Sequence, residues 1–309
     1  MTFEQACESF IDHCRYEKKL SSKTIEFYSV DLSQFEAFLI TKDFTQSILQ
    51  ISKEELRQYL KNISVFKPKT IKRKVATLKA FFNFLEFEDK IEINPFRKLR
   101  IKIKDPRILP ALMNSFEVKR VFEAAYKTKN EASIDGQFWI KIRDIAVIEM
   151  LFATGMRVSE LCSLKNDQIN LETGFIRIYG KGGKERTIQI YNKEAINALR
   201  EYTGCLDIKA LSGSHFFLNR LGKGLSDQSV RHIVRRFTQL AEISKNITPH
   251  TFRHTFATLL LEEDVDIKYI QHFLGHSSIA TTQIYTHVTG TKQKQILTVK
   301  HPRNAFEFR

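Results

Sequence analysis

The sequence has few of the features that mark secreted proteins, membrane proteins or proteins stabilised by a structural metal ion. Its four cysteines, Cys7, Cys14, Cys162 and Cys205, show no CxxC spacing, so neither a disulfide framework nor a zinc knuckle is indicated. No apolar run approaches the roughly 18 residues of a membrane span. The opening residues, MTFEQACESF, contain no apolar signal core. We therefore expect a cytoplasmic protein with reduced thiols.

Two sequence motifs of other enzyme classes are also missing. The nucleotide-binding pattern GxxxxGK[ST] does not occur, and neither does the metalloprotease pattern HExxH. His250 and His254 stand four residues apart, as do His272 and His276, which is metal-ligand spacing on a helix. Because no cysteine lies near these pairs, we expect no metal and no other cofactor, and a metal-dependent nuclease remains an alternative.

Acidic residues are too few to balance the basic ones. The 309 residues include 49 Lys and Arg against 35 Asp and Glu, which leaves a net charge of +14. This balance favours a polyanionic partner. Nucleic acid, a ribosome or a membrane surface would fit the charge equally well. At roughly 100–200 residues per domain, the length suggests two domains.

Residues 1–100 have the pattern of a helical domain. Apolar residues recur at three- and four-residue steps from Ile25 to Leu39, after Ser21 as a potential cap, and again from Leu78 to Leu85. A basic run lies between these stripes, and it predicts a helix with one buried face and one face towards phosphates. An ordinary solvated face is the alternative. The run comprises Lys67, Lys69, Lys72, Arg73, Lys74 and Lys79.

The helical pattern stops at Asn94-Pro95, and a basic segment follows. We interpret residues 101–111 as a linker, and add Arg100 and Lys102 to the candidate DNA-binding residues. Residues 112–309 would form a second domain, mainly helical with a β-hairpin over residues 174–190. The predicted fold class is therefore mainly α with a small β-sheet (α+β).

One segment of the second domain predicts an anion site. In TPHTFRHTFAT, Thr248 can cap a helix that begins at Pro249. His250 and Arg253 would then lie on one face of its first turns, next to free main-chain N–H groups. A capping turn with surface side chains is the simpler alternative.

Three further segments hold residues that could take part in phosphoryl transfer. Arg157 follows a break at Gly155, with Glu160 one turn on to brace it. Lys181 lies at the glycine-rich hairpin tip and could protonate a leaving oxygen. Tyr285, in LGHSSIATTQIYTHV, could form a covalent phosphodiester. Each segment alone would be a weak signal.

Taken in order, ATGMRVSEL, GKGGKER, TPHTFRHTFAT and LGHSSIATTQIYTHV closely resemble the motifs of the tyrosine recombinase or phage integrase family, and most of all its Xer branch. The resemblance covers nearly the whole chain and is strongest over residues 140–290. It implies a SAM-like core-binding domain over residues 1–100 and a catalytic domain over residues 112–309. The catalytic residues it implies are Arg157, His250, Arg253 and His276 around the phosphate, Lys181 as general acid and Tyr285 as nucleophile.

The resemblance also implies an activity and its partners. DNA would be cut and rejoined through a 3′-phosphotyrosyl intermediate and a Holliday junction, without metal or ATP. The partners would be duplex DNA with an inverted-repeat site and three further copies or a related recombinase in a tetramer, with a DNA translocase as an optional activator. Resolution of chromosome or plasmid dimers near the nucleoid is the expected role. The alternatives are a mobile-element integrase, a type IB topoisomerase and a DNA-binding regulator without catalytic activity.

The C-terminal segment, residues 291–309, is apolar enough to dock on a surface. By the same resemblance it would pack into a neighbouring copy and close a ring. Docking on its own domain is the alternative.

Overall fold

A computed structural model describes most of the chain, in two units, Met1–Ile108 and Leu109–Arg309. The first unit is helical and the second combines helices with a small sheet, which confirms the predicted fold class. The described residues are 1–44, 51–104, 112–130, 138–180, 185–206, 215–275 and 296–305.

The first unit is held together by aromatic side chains. Ser21 caps α2 as predicted, because its side chain accepts a hydrogen bond from the main-chain N–H of Thr24. Phe81 is fully buried and packs edge-on against Phe3 and Phe10 at ring-centroid distances of 5.5 Å. Such pairs add to the stabilisation from apolar burial. The helices are α1 (Phe3–Asp12), α2 (Ser22–Thr41), α3 (Lys53–Asn62) and α4 (Pro68–Phe87).

The second unit is built around α6, whose residues from Ile142 to Thr154 are all buried. α5, α8 and α10 pack against it. Within the described ranges, no helix is long and apolar enough to cross a membrane. The helices are α5 (Ser115–Asn130), α6 (Phe138–Thr154), α7 (Val158–Ser163), α8 (Lys193–Gly204), α9 (Asp227–Leu240), α10 (Pro249–Glu262) and α11 (Ile267–Leu274).

The sheet contains the predicted hairpin. Its antiparallel strands are β1 (Ile169–Asn170), β2 (Phe175–Tyr179) and β3 (Glu185–Gln189), in the order β1-β2-β3. Ile176 pairs with Ile188, and both face the core. Arg186 is two residues before Ile188, so it lies on the same, inward side of β3.

The C-terminal residues 296–305 pack on their own unit. Ile296 and Leu297 join its core, and the fully buried Arg303 forms an ion pair of 2.7 Å with the fully buried Glu149. In the single chain these residues therefore adopt the docking that the sequence analysis kept as the alternative, and packing into a neighbouring copy stays a prediction. The ion pair stabilises this docking, since Glu149 would be a buried charge without an ionic partner if Arg303 were absent.

Candidate active site

Two glycines create the backbone breaks around which the site forms. Gly155 ends α6 with φ +58°, and a Cβ there would lie 2.6 Å from the ring of Phe256. Gly275 caps α11 in the left-handed conformation, with φ +63°. Only glycine adopts this conformation at little cost. The break at Gly155 was predicted, and the two breaks bring the start of α7 next to the end of α11.

Arg157 is the N-cap residue of α7 and is braced by Glu160 as the sequence predicts. Glu160 accepts hydrogen bonds of 2.8 Å from the main-chain N–H of Arg157 and from its guanidinium. A second guanidinium nitrogen donates to the Gly275 carbonyl at 3.2 Å. The Arg157 side chain is still 40% exposed. One edge of it is therefore fixed by the protein while another faces solvent.

Arg253 enters the cluster from α10, which begins after the predicted N-cap residue Thr248. Its buried guanidinium donates to the carbonyls of Gly155 at 2.8 Å and Leu274 at 2.6 Å. Burial, and then the charge of Arg157, lowers the pKa of Arg253 to about 10. Arg253 therefore remains a cation at neutral pH.

Arg186 completes the cluster, and the sequence analysis gave it no role. Its guanidinium donates to both carboxylate oxygens of Glu160 at 2.8 Å, and its Nε donates to the Phe273 carbonyl at 3.1 Å. Burial raises the pKa of Glu160, but the bonds from Arg186 and Arg157 bring it down to about 2. The only sequence signal for Arg186 is its position at the end of GKGGKER.

These contacts surround the carboxyl end of α11 with arginine side chains. Its last carbonyls, Phe273, Leu274 and Gly275, accept from three different arginines, Arg186, Arg253 and Arg157 respectively. The carboxyl end of a helix is its negative end, so it favours cations. Among the described residues, these three guanidinium groups meet a single carboxylate, that of Glu160, which leaves positive charge for an anion. A phosphate is the anion that an arginine fork suits best.

His250 lies at the surface and Arg253 points inward, so the two differ in exposure although they share the first turns of α10. The Nε2 atoms of His250 and His254 are 2.8 Å apart. Burial, followed by the charges of His254, Arg253 and Arg157, lowers the pKa of His250. These effects favour the neutral form of His250, which can accept one proton and donate one. Among the described residues, no cluster of three or more His, Cys, Asp or Glu side chains could hold a metal ion.

Three of the predicted catalytic residues, Lys181, His276 and Tyr285, lie outside the described residues. Their roles rest on the sequence motifs. Lys181 precedes β3 in the chain, and His276 follows the end of α11. Arg186 links these two elements, because it lies in β3 and donates a hydrogen bond to the Phe273 carbonyl.

The first unit presents most of the predicted basic residues at its surface. Lys72, Lys79, Lys102 and Lys104 line a groove of about 470 Å³ whose floor includes Val75 and Ile101. Lys79 lies in the predicted basic run, whereas Lys104 was not singled out. The other predicted residues that are exposed are Lys67, Lys69 and Arg100.

Lys74 is a correction to the predicted DNA-binding set. It is 3% exposed, and its ammonium donates to Asp31 at 3.1 Å and also to Gln34. Arg73 is partly exposed and pairs with Asp31 at 2.5 Å. Consecutive helix residues point about 100° apart, so Lys72, Arg73 and Lys74 cannot all face outward. Lys74 belongs to the buried side of α4.

A second basic surface, on α9, escaped the sequence analysis. The helix buries Val230, Ile233, Val234 and Phe237 and exposes Arg231, His232, Arg235 and Arg236. The signal was present in DQSVRHIVRRFTQL as an apolar stripe at helical spacing with basic residues between. Arg236 also donates to the buried Asp144 at 2.8 Å.

A helical unit with a basic surface is followed by an α+β unit with clustered arginines, and this arrangement suits an enzyme that acts on DNA. Two family profiles match the chain: "Phage integrase family" over residues 113–292 and "Phage integrase, N-terminal SAM-like domain" over residues 7–89. The chain belongs to the phage integrase family.

Curated relatives of similar length support this assignment. A protein named tyrosine recombinase from Agathobacter rectalis is 45% identical over 301 residues, which is 97% of each chain. Tyrosine recombinase XerC of Thermodesulfovibrio yellowstonii is 36% identical over 95% of each chain. Tyrosine recombinase XerD of Listeria monocytogenes is 35% identical over 96% of this chain and 98% of its own. The predicted similarity to the Xer branch is confirmed.

Solved structures show the same fold at lower identity. A lambda integrase dimer bound to a COC′ core site has a TM-score of 0.68 and 20% identity, over 90% of this chain and 96% of that chain. XerH site-specific recombinase bound to difH substrate has a TM-score of 0.66 and 24% identity, over 85% of this chain and 76% of that chain.

Proposed function

We propose that this protein is a site-specific recombinase that cuts and rejoins duplex DNA through a covalent bond between Tyr285 and a 3′ phosphate. The observation that carries the proposal is the arginine cluster at the end of α11. Arg157 and Arg253 come from separate helices and meet next to the segment that leads to Tyr285. Their excess positive charge suits a phosphodiester whose negative charge grows in the transition state.

In the forward step the Tyr285 oxygen bonds to phosphorus, and the bond from phosphorus to the 5′ oxygen breaks. Lys181 supplies the proton that makes the departing group a 5′-hydroxyl. The neutral His250 is suited to take up the tyrosine proton, and His276 hydrogen-bonds the phosphate. Attack by a 5′-hydroxyl on the phosphotyrosine reverses the step. The bond energy is conserved, so the reaction uses no ATP.

Two basic surfaces support the DNA-binding part of the proposal. The first unit presents Lys67, Lys69, Lys72, Arg100 and Lys102, and α9 in the second unit presents its own arginines. Lysine and arginine contacts to phosphates supply most non-specific DNA affinity.

We further propose that four copies, or two copies each of this chain and a related recombinase, act on two inverted-repeat sites. Among the structural relatives, a lambda integrase tetramer has been solved on a Holliday junction. The similarity to proteins named XerC and XerD favours resolution of chromosome or plasmid dimers in the cytoplasm, with a DNA translocase as a possible activator. A mobile-element recombinase with the same chemistry is the second candidate.

The decisive experiment is Tyr285→Phe on labelled nicked DNA. The variant should bind DNA and leave no covalent band on a denaturing gel, because only the nucleophilic oxygen is removed. Tyr269→Phe, on α11, is the matched control and should form the band normally. A covalent band from Tyr285→Phe would overturn the assignment.

Two further measurements separate the alternative functions. Recombination between paired sites distinguishes a recombinase from a type IB topoisomerase, which would only relax DNA. Covalent complex formation in excess chelator should be unchanged, whereas a metal-dependent nuclease would lose activity. A DNA-binding regulator would form no covalent complex under any of these conditions.

A further inference from the structure

Arg186 lies on the inward side of β3 and reaches both the carboxylate of Glu160 and the end of α11. We infer that Arg186 is a positioning residue, which holds Glu160 and the carboxyl end of α11 so that Arg157 and Arg253 face the scissile phosphate. The inference rests on the proposed recombinase chemistry, and it assigns a role to a residue outside the predicted catalytic set.

The side-chain nitrogen atoms of Arg186 are engaged in hydrogen bonds within the protein. All three of its nitrogen atoms donate, two to Glu160 and one to the Phe273 carbonyl. The side chain is only 10% exposed. A Cβ at Gly275 would lie 2.9 Å from its Cδ, so the backbone approaches it closely. Arg186 is therefore placed to act on the protein around the site and not on DNA.

Arg186 acts on Arg157 through the carboxylate that both share. Each carboxylate oxygen of Glu160 accepts one hydrogen bond from Arg186 and one from Arg157. Without Arg186, Arg157 would be the remaining ion-pair partner of Glu160 among the described residues, and Glu160 would be drawn towards it. The Arg157 guanidinium, whose open edge would meet the phosphate, would then move or turn.

Arg186 acts on Arg253 through the helix end. The Phe273 carbonyl that it anchors is next to the Leu274 carbonyl that orients Arg253. If the Phe273 contact is lost, the last turn of α11 loses one of its three arginine anchors. Because a displacement of about 1 Å costs on the order of 10²-fold in rate, loosening this turn is enough to slow cleavage.

The first test is Arg186→Lys. Lysine keeps the positive charge but cannot bridge two carboxylate oxygens and a carbonyl. Single-turnover cleavage of nicked DNA should fall by about 10²-fold, with DNA affinity and the unfolding midpoint near those of the wild type. Arg177→Lys is the matched control, because Arg177 lies on the exposed side of the same hairpin. It should cleave normally.

The second test asks which catalytic group has been disturbed. A methylphosphonate at the scissile position lacks one negative charge, so its transition state depends less on stabilisation by Arg157 and Arg253. On this substrate the deficit of Arg186→Lys should shrink from about 10²-fold to about tenfold or less. A 5′-bridging sulfur, which removes the need for a general acid, should leave the deficit unchanged. Recovery with sulfur, or an equal deficit on all three substrates, would overturn the inference.

Glu160→Gln provides an independent arm if Arg186→Lys does not fold. It removes the shared charge but keeps the side-chain shape, and should show the same selective recovery on methylphosphonate. Unfolding of both variants would show that the cluster serves the fold alone, and would also overturn the inference. A different observation tests the recombinase assignment itself: that assignment fails if the wild-type protein forms no covalent complex that depends on Tyr285.

Discussion

The guanidinium of Arg253 donates a hydrogen bond of 2.6 Å to the main-chain carbonyl of Leu274, 21 positions further along the chain. The same guanidinium also donates to the Gly155 carbonyl at 2.8 Å. A buried cation thus ties together the two backbone breaks of the second unit. One of them leads to Arg157 and the other to the segment with His276 and Tyr285.

This double anchorage predicts that Arg253→Lys loses catalysis while keeping DNA binding. An ammonium group is a compact donor and cannot span both carbonyls while also facing a phosphate. Cleavage on nicked DNA should fall by about 10²–10³-fold, as when one preorganised donor is lost from an active site. Quantified covalent complex and a half-site gel shift would check this, and near-normal cleavage would contradict it.

The contrast between Lys69 and Lys74 gives a second prediction. Lys69→Gln should reduce the slope of log affinity against log salt concentration by about 1, with the free energy of unfolding unchanged. Lys74→Met should lower the free energy of unfolding by roughly 1–3 kcal/mol, because it removes one hydrogen-bond partner from the buried Asp31, which keeps its ion pair with Arg73. Salt-dependent gel shifts and urea unfolding separate the two effects. A Lys74→Met protein of normal stability would show that the Asp31 network contributes little.

The sequence predicted the features of this fold that depend on neighbouring residues. Ser21 and Thr248 cap helices where the sequence places them, and Gly155 ends a helix. Such signals are local, because a cap or a left-handed break is decided by the residues around it. The brace between Arg157 and Glu160, three positions apart, is local in the same sense.

Two features that escaped prediction, the burial of Lys74 and the contacts of Arg186, depend on distant residues. Lys74 faces Asp31 from 43 positions away, and Arg186 reaches Glu160 across 26 positions and Phe273 across 87. A basic residue has the same local pattern whether it contacts solvent, DNA or a buried carboxylate. Only the packing of helices and strands decides among these outcomes.

A third prediction concerns the pH dependence of stability. His301 is buried: Nε2–H donates to the Ala153 carbonyl at 3.0 Å, and Nδ1 accepts from the Arg303 N–H at 3.0 Å. Burial lowers the pKa of His301 to about 4, against an ordinary value of about 6.5. Between these values the unfolded chain binds a proton that the native chain does not. Stability is therefore complete above pH 6.5 and falls as the pH drops towards 4.

The expected loss from His301 is on the order of 2 kcal/mol between pH 6.5 and pH 5, at about 1.4 kcal/mol per unit of pH. Urea unfolding at several pH values would measure it. His301→Gln should unfold with a shallower pH dependence than the wild type over this range. Identical pH profiles would show that His301 does not titrate differently in the two states.

The last prediction separates docking of the C-terminal segment on its own unit from a role between copies. Deleting residues 296–309 removes Arg303 and leaves Glu149 buried without its ion-pair partner. Loss of a partner from a buried pair costs roughly 3–5 kcal/mol, so the deletion alone would confound stability with assembly. Adding Glu149→Gln removes the stranded charge and keeps an oxygen that can accept the hydrogen bond from Tyr126.

We therefore expect the deletion combined with Glu149→Gln to bind a half-site as well as full-length Glu149→Gln, the matched control. If the segment also packs into a neighbouring copy, the shortened protein should be deficient in pairing two sites and in recombination, because the contact that closes the ring is missing. Gel shifts on half-sites and full sites, with a recombination assay on the same preparations, would measure each step. Synaptic complexes formed equally well by both proteins would leave Arg303 and its neighbours with a purely intramolecular role.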